Sequence, residues 1–272
     1  MDWLHGILNL IGLLFWVLWR AGTMPRPKPA NAVAGPTPRQ GKTFKHSWVY
    51  LIALIILLTA RSVFYHRFGP GLDWIPSLES IDVAPHFRSD FFQRALAYST
   101  ISFARWLSAL YFCLALLVSV KPDTDTAKIW RSFLRSQFGW LGGLSPALLW
   151  ASTLVLSILV HTTESAWIAH IGAGGTQSSL YKHLPLLIML DCRATVYLSM
   201  IILTLFILNS YVYFGEHPFW KNIDNCGTRL FAPFRKTPLI AGKVDPAPFI
   251  AMTIALAISF VLRHEQLAAL LR

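Results

Sequence analysis

Charged and polar side chains are rare within the apolar stretches of this chain, so the few that occur there are the first candidates for chemistry. Arg105, Asp191, Arg193 and Asn209 fall inside or at the edge of long hydrophobic segments, and Arg61 and Arg263 lie near the ends of two others. Moving a charge out of water is expensive, which makes each a candidate for an ion pair or a solute site. Asp191 and Arg193 are close enough to neutralise each other or to pair with Arg105, and Arg105 is where a buried ion pair is expected. Arg61, Arg193 and Arg263 also have a purely structural reading, because a long side chain near a span end reaches the headgroups. Asn209, followed by Ser210, reads as an interhelical hydrogen-bonding residue, with an ion pathway as the sharper alternative.

His161, His170 and His183 with Glu164 are expected to share one outer loop, but their spacing fits no familiar ligand pattern. Neither a metal nor another cofactor is expected. Cys113, Cys192 and Cys226 are odd in number and lack CxxC spacing, so they imply no disulfide framework. Gly-x-Ser-x-Gly, His-Glu-x-x-His and phosphate-cradling Gly-Lys motifs do not occur, so no catalytic residue is assigned and a non-enzymatic role is expected.

The elements that must position these residues follow from composition. The chain has 272 residues, of which 54% are hydrophobic and only 14% charged, with a mean hydropathy of +0.49. That leaves too little polar surface for a water-soluble globule. A span takes about 20 apolar residues, and six segments qualify: 3–19, 48–65, 98–120, 140–161, 192–213 and 247–263. The expected fold is therefore an all-α membrane protein with about six transmembrane helices. The first segment has Asp2 where a signal peptide has basic residues and no small-residue cleavage site before Arg20, so 1–20 reads as a retained anchor.

The net charge of +11 does not point to nucleic acid, because the cations sit between hydrophobic segments instead of on one aromatic-interleaved face. They obey the positive-inside rule. Arg20, Arg26, Lys28, Arg39, Lys42 and Lys45 place the first linker in the cytoplasm; Lys121, Lys128, Arg131 and Arg135 do so for the third, and Lys221, Arg229, Arg235, Lys236 and Lys243 for the fifth. The connections 66–97 and 162–184 carry no cationic excess and face outward, as do both termini. A multi-pass protein of the cytoplasmic (inner) membrane is expected, with the lipid bilayer, anionic lipids and other membrane proteins as partners and no nucleic acid.

The Pro-rich, basic linker 21–46 reads as an extended tether separating the anchor from the core. Beyond it, Val49-Tyr50-Leu51 is echoed by Val196-Tyr197-Leu198, and Asp82-Val83-Ala84-Pro85 by Asp245-Pro246-Ala247-Pro248. Asp82 and Asp245 read as helix N-caps that meet unpaired N–H groups, with proline in the first turn. The chain then divides into a first hairpin (47–121), a connecting region with one span (122–185) and a second hairpin (186–272). One intervening span makes the two related helix-loop-helix hairpins inverted repeats.

In the fifth connection, Phe219, Ile223, Cys226 and Leu230 fall on one helical face, opposite Lys221, Asp224, Asn225 and Arg229. This is an interfacial helix pattern, and Arg229, Arg235, Lys236 and Lys243 become candidates for gripping anionic lipid or an acidic partner. The run Gly215-Glu-His-Pro-Phe-Trp220, Thr228-Arg-Leu-Phe-Ala-Pro-Phe-Arg235-Lys236 and Gly242-Lys-Val-Asp-Pro-Ala-Pro248 resembles the YggT family of bacterial and plastid membrane proteins. The likeness covers about 194–260 and, more weakly, 48–120, where the Pro-Leu-x-x-Gly stretch is missing. It implies a non-enzymatic organiser or assembly factor of membrane complexes. The alternative is a small transporter or channel for ion or osmotic homeostasis, which needs a polar path to the midplane where an organiser can keep a dry core.

Overall fold

The computed structural model describes residues 2–23, 47–72, 91–120, 125–171, 184–212, 214–215, 217–232 and 246–262. Asp82, His183, Arg235, Lys236, Lys243, Asp245, Arg263 and most of the linker lie outside them. Among the described residues the regular structure is helical: α1 (Asp2–Gly22), α2 (Ser47–Phe68), α3 (Phe92–Ser119), α4 (Asp125–Gln137), α5 (Pro146–His170), α6 (Leu184–Tyr211), α7 (Pro218–Phe231) and α8 (Ala247–Val261), with short 3₁₀ turns at Pro70–Leu72 and Gly139–Gly143.

Five helices, α1, α2, α3, α5 and α6, are long and apolar enough to cross a membrane, which is the pattern of a multi-pass membrane protein. The expected sixth span is α8, but its 15 residues cover only about 22 Å, short of the roughly 30 Å of a bilayer core. Large apolar side chains face outward where lipid would lie, among them Ile56 (60% exposed), Val155 (64%) and Leu159 (62%). Trp3 and Trp140, 72% and 88% exposed, stand at opposite ends of the bundle, as interfacial tryptophans do.

Several expected boundaries shift, some because a local turn starts the helix later and others because a charged residue lies inside the helix instead of ending it. The segment expected at 140–161 runs instead from Pro146 to His170, because Gly139–Gly143 forms a 3₁₀ turn and Ser145 caps the helix. At its far end Glu164 is accommodated inside the helix. Asp191 and Arg193 likewise lie inside α6, which starts at Leu184. α3 begins at Phe92 with Phe91 as N-cap, well past Asp82, and α8 takes Pro246 as its N-cap.

α3 is the central element, packing against α1, α2, α4, α5 and α6. α1 is no detached anchor, since it packs along α2 and touches α3 and α4. Its Trp16 donates Nε1 to the Tyr111 hydroxyl at 3.2 Å, and its Arg20 donates Nε to the Gln137 carbonyl at 3.2 Å. α4 and α7 pack on each other, and α7 packs on α6. Hence the end of α1, α4 and α7 gather at one end of the bundle, where Arg20, Arg131, Arg135, Lys221 and Arg229 sit.

Two apolar clusters close α3 above and below its middle. Tyr65, Ala95, Tyr98, Ile101 and Ile168 pack toward the far end, and Leu114, Ala115, Val118, Leu134, Phe138 and Leu149 pack toward the basic end. Between them lies a layer of polar side chains.

Candidate functional site

The polar layer is built from helical spacing on otherwise apolar faces. Ser102, Arg105 and Ser108 recur every three residues on α3; Ser157, His161 and Glu164 recur every three or four on α5; Asp191 comes from α6. Such spacing puts each set on one stripe. Because α3 packs against both α5 and α6, the stripes converge near the middle of the helices.

His161 is the hub. Its side chain is fully buried, with Nδ1 3.2 Å from Glu164 Oε2 and Nε2 3.3 Å from Asp191 Oδ2. Asp191 Oδ2 also accepts from the Ser108 hydroxyl at 2.8 Å and the Ser157 hydroxyl at 2.6 Å. Arg105 Nη1 faces Glu164 Oε1 at 3.5 Å. The side chains of Glu164 and Asp191 are 3% and 7% exposed, and that of Arg105 is 19% exposed, the most open of the four.

These contacts fix a proton count. Two hydroxyls donating to Asp191 Oδ2 suit an ionised carboxylate, and against an ionised oxygen the 3.3 Å contact is attractive when His161 Nε2 carries a hydrogen. The contact from Nδ1 to Glu164 then needs a hydrogen of its own, held either by the ring or by the carboxyl. With that shared proton, the positive Arg105 and the Asp191 carboxylate balance, and the site is neutral. Without it, two carboxylates face one guanidinium, leaving one net negative charge in a low-dielectric core.

A second network joins α1, α2 and α3 and meets the polar stripe of α3 at Ser102. Arg61, 3% exposed, donates Nε to the Tyr65 hydroxyl at 2.9 Å, Nη1 to Asn9 Oδ1 at 2.7 Å and Nη2 to His5 Nδ1 at 2.6 Å. A guanidinium only donates, so His5 Nδ1 accepts, and Nε2 carries the hydrogen it gives to Ser102 Oγ at 2.7 Å. Asn9 Nδ2 donates to the same oxygen at 3.2 Å. Among the described residues no carboxylate pairs with Arg61; neutral dipoles solvate its charge.

The expected site residues thus separate. Arg105 is ion-paired, though with Glu164 and not with Asp191. Arg193 instead turns along its own helix, donating Nε to the Tyr197 hydroxyl at 2.6 Å. Arg61 does not snorkel to a headgroup; it is enclosed by α1, which supplies His5 and Asn9. His161 and Glu164 belong to α5 and not to an outer loop, and they face each other and Asp191, while His170 is exposed. Asn209 donates Nδ2 to the Asp224 carboxylate at 2.9 and 3.0 Å, tying α6 to α7.

α7 forms over Pro218–Phe231 on the expected pattern, with two departures. Asn225 is buried, and Phe219 is 50% exposed, because α7 lies against α6 through Asn225, Cys226 and Gly227. Arg229 is exposed at its end. Burial pushes the Cys226 thiol up to about 11.

His5, Asn9, Ser102, Ser108 and Ser157 were not singled out from sequence. Their shared signal is polar residues at three- or four-residue intervals within an apolar helix, which a search for uncharged windows passes over. No protein-family model matches the chain, and comparisons with curated proteins and with solved structures give no match.

Proposed function

We propose that this chain is a small multi-pass transporter of a bacterial cytoplasmic membrane that exchanges protons for a monovalent cation at the Arg105–Glu164–His161–Asp191 site. One observation carries the reading: His161 bridges two buried carboxylates at mid-helix. Removing so many ionisable groups from water is costly, and membrane helices keep them chiefly where ions or protons are handled. The proton count supplies the exchange logic, since release of the shared proton leaves one negative charge that an entering cation neutralises. Ser108 and Ser157 offer hydroxyl oxygens to such a cation.

The orientation of the helices supports the inverted-repeat reading. α2 leaves the basic end and α6 approaches it, so the pairs α2–α3 and α6–α8 begin at opposite ends. Taking α8 as a sixth, short span completes the second pair, and ion sites commonly lie between such repeats. The basic end is cytoplasmic on the positive-inside rule.

Flux through proteoliposomes tests the proposal. With a pH dye trapped inside, an imposed sodium or potassium gradient should drive proton movement, and Asp191→Asn or Glu164→Gln should abolish it. Wild-type vesicles that leak no faster than protein-free ones, or variants that conduct like wild type, refute it.

A second reading is favoured by the paired helices α4 and α7 at the basic end. As in the YggT resemblance, the chain would organise a membrane complex through this surface, with Arg229 at its edge. Crosslinking from α7 should then capture one defined membrane partner, whereas capture of none rejects that reading.

A further inference from the structure

We infer that the groove between α4 and the Gly139–Gly143 turn is a binding site for the phosphate headgroup of an anionic phospholipid. The site is remote from the polar layer and does not depend on its role. A cavity of about 470 Å³ opens here, lined by Lys128, Arg131, Ser132 and Arg135 of α4 and by Gly139 and Gly142 of the turn.

The sequence builds the groove through one helix with three faces. Leu134, Gln137 and Phe138 point into the bundle; Ile129, Trp130 and Phe133 are exposed at 73%, 44% and 37%; Lys128, Arg131, Ser132 and Arg135 recur at helical spacing along the remaining stripe. The floor is glycine for steric reasons. A Cβ on Gly142 would stand 2.2 Å from the Arg135 carbonyl oxygen, and Gly139 has φ +65° with a Cβ position 2.2 Å from Arg20 Nη2.

Two features point to an anion. Burial and the neighbouring Arg135 charge lower the Arg131 guanidinium from its usual value, so like charges are held together here. Among the described residues neither Arg131 nor Arg135 forms an ion pair, and Arg135 Nε is buried without a hydrogen-bond partner. An anion carrying several acceptor oxygens relieves the repulsion and satisfies that donor, and guanidinium forks suit phosphate.

Location selects lipid as its source. Arg131 Nε donates to the Val118 carbonyl at 3.0 Å, in the last turn of the α3 span, which fixes the groove at the membrane boundary. The exposed Ile129, Trp130 and Phe133, with Trp140 of the turn 88% exposed, place apolar and aromatic surface where acyl chains and headgroups meet. A cationic groove flanked by such surface matches a headgroup with its chains attached.

The test compares phosphatidylglycerol with phosphatidylcholine by native mass spectrometry of the full chain, with inorganic phosphate as competitor. Phosphatidylglycerol should be retained preferentially, and Arg131→Gln combined with Arg135→Gln should weaken that preference about tenfold or more. Should that variant fail to fold, Ser132→Asp, at an exposed position, adds a repelling carboxylate and should have the same effect. Equal retention of both lipids, or full preference in the folded variants, overturns the inference. Displacement of lipid by inorganic phosphate at matching concentration overturns it too, by marking a free-anion site.

Discussion

Arg105 of α3 reaches Glu164 of α5 at 3.5 Å, which makes the central helix and the one acidic residue of α5 a single electrostatic unit inside the bundle. Breaking such a pair strands one charge in the core. Glu164→Ala is expected to lower stability by about 3 to 5 kcal/mol, whereas replacing both residues by apolar ones of similar volume should recover much of that loss. Thermal unfolding in detergent gives the comparison. Equal losses in single and double variants would show that the two residues do not act as a pair.

Asp191 depends on two hydroxyls. Ser108→Ala and Ser157→Ala each remove a donor to the same carboxylate oxygen, so each should cost about 1.5 to 3 kcal/mol. Because they share an acceptor, the double variant should depart from the sum of the singles. A denaturation series on the four proteins measures the coupling; strict additivity would mean that the hydroxyls do not converge on Asp191.

α7 is seated on α6 through a missing side chain. A Cβ on Gly227 would come within 2.5 Å of the Phe206 ring, so Gly227→Leu should lift α7 at a cost of about 1 to 3 kcal/mol and speed limited proteolysis at Arg229. Unchanged proteolysis would show that the contact does not hold α7 down.

Cys226 offers a pH readout of the same docking. The thiolate is the form that alkylates, and with its pKa pushed up to about 11 by burial little thiolate exists at neutral pH. Its alkylation should climb about tenfold per pH unit above neutrality, levelling only near pH 11. In Gly227→Leu the thiol should react faster at every pH. A plateau below pH 9 in the wild type would contradict the buried setting.

The membrane fold was legible because lipid demands long uncharged segments, and α2, α3 and α6 hold most of the stretches expected from that rule. The same rule misplaced Glu164, since it treats charge as a stop signal and cannot see a partner on another helix. Arg61 shows the limit clearly. Its apparent place near a span end fits snorkelling, and only the packing of α1, which brings His5 and Asn9 alongside, reveals a buried cation. The partner of Arg105 was likewise hidden, because Asp191 and Glu164 lie on different neighbours of α3 and sequence distance does not rank them. Arg235, Lys236 and Lys243 lie outside the described residues, so most of the fifth-connection basic cluster remains a sequence reading, whereas the expected capping of α3 by Asp82 and of α8 by Asp245 gives way to Phe91 and Pro246 as N-caps.

The central claim is that Glu164, His161 and Asp191 hold one exchangeable proton in the middle of the bundle. Infrared difference spectroscopy of the reconstituted protein, recorded as sodium or potassium is added, reads that proton directly. The account predicts a cation-induced change in carboxyl or imidazole bands, accompanied by release of about one proton and absent from Glu164→Gln and Asp191→Asn. Identical spectra with and without cation, and no proton released, would contradict it.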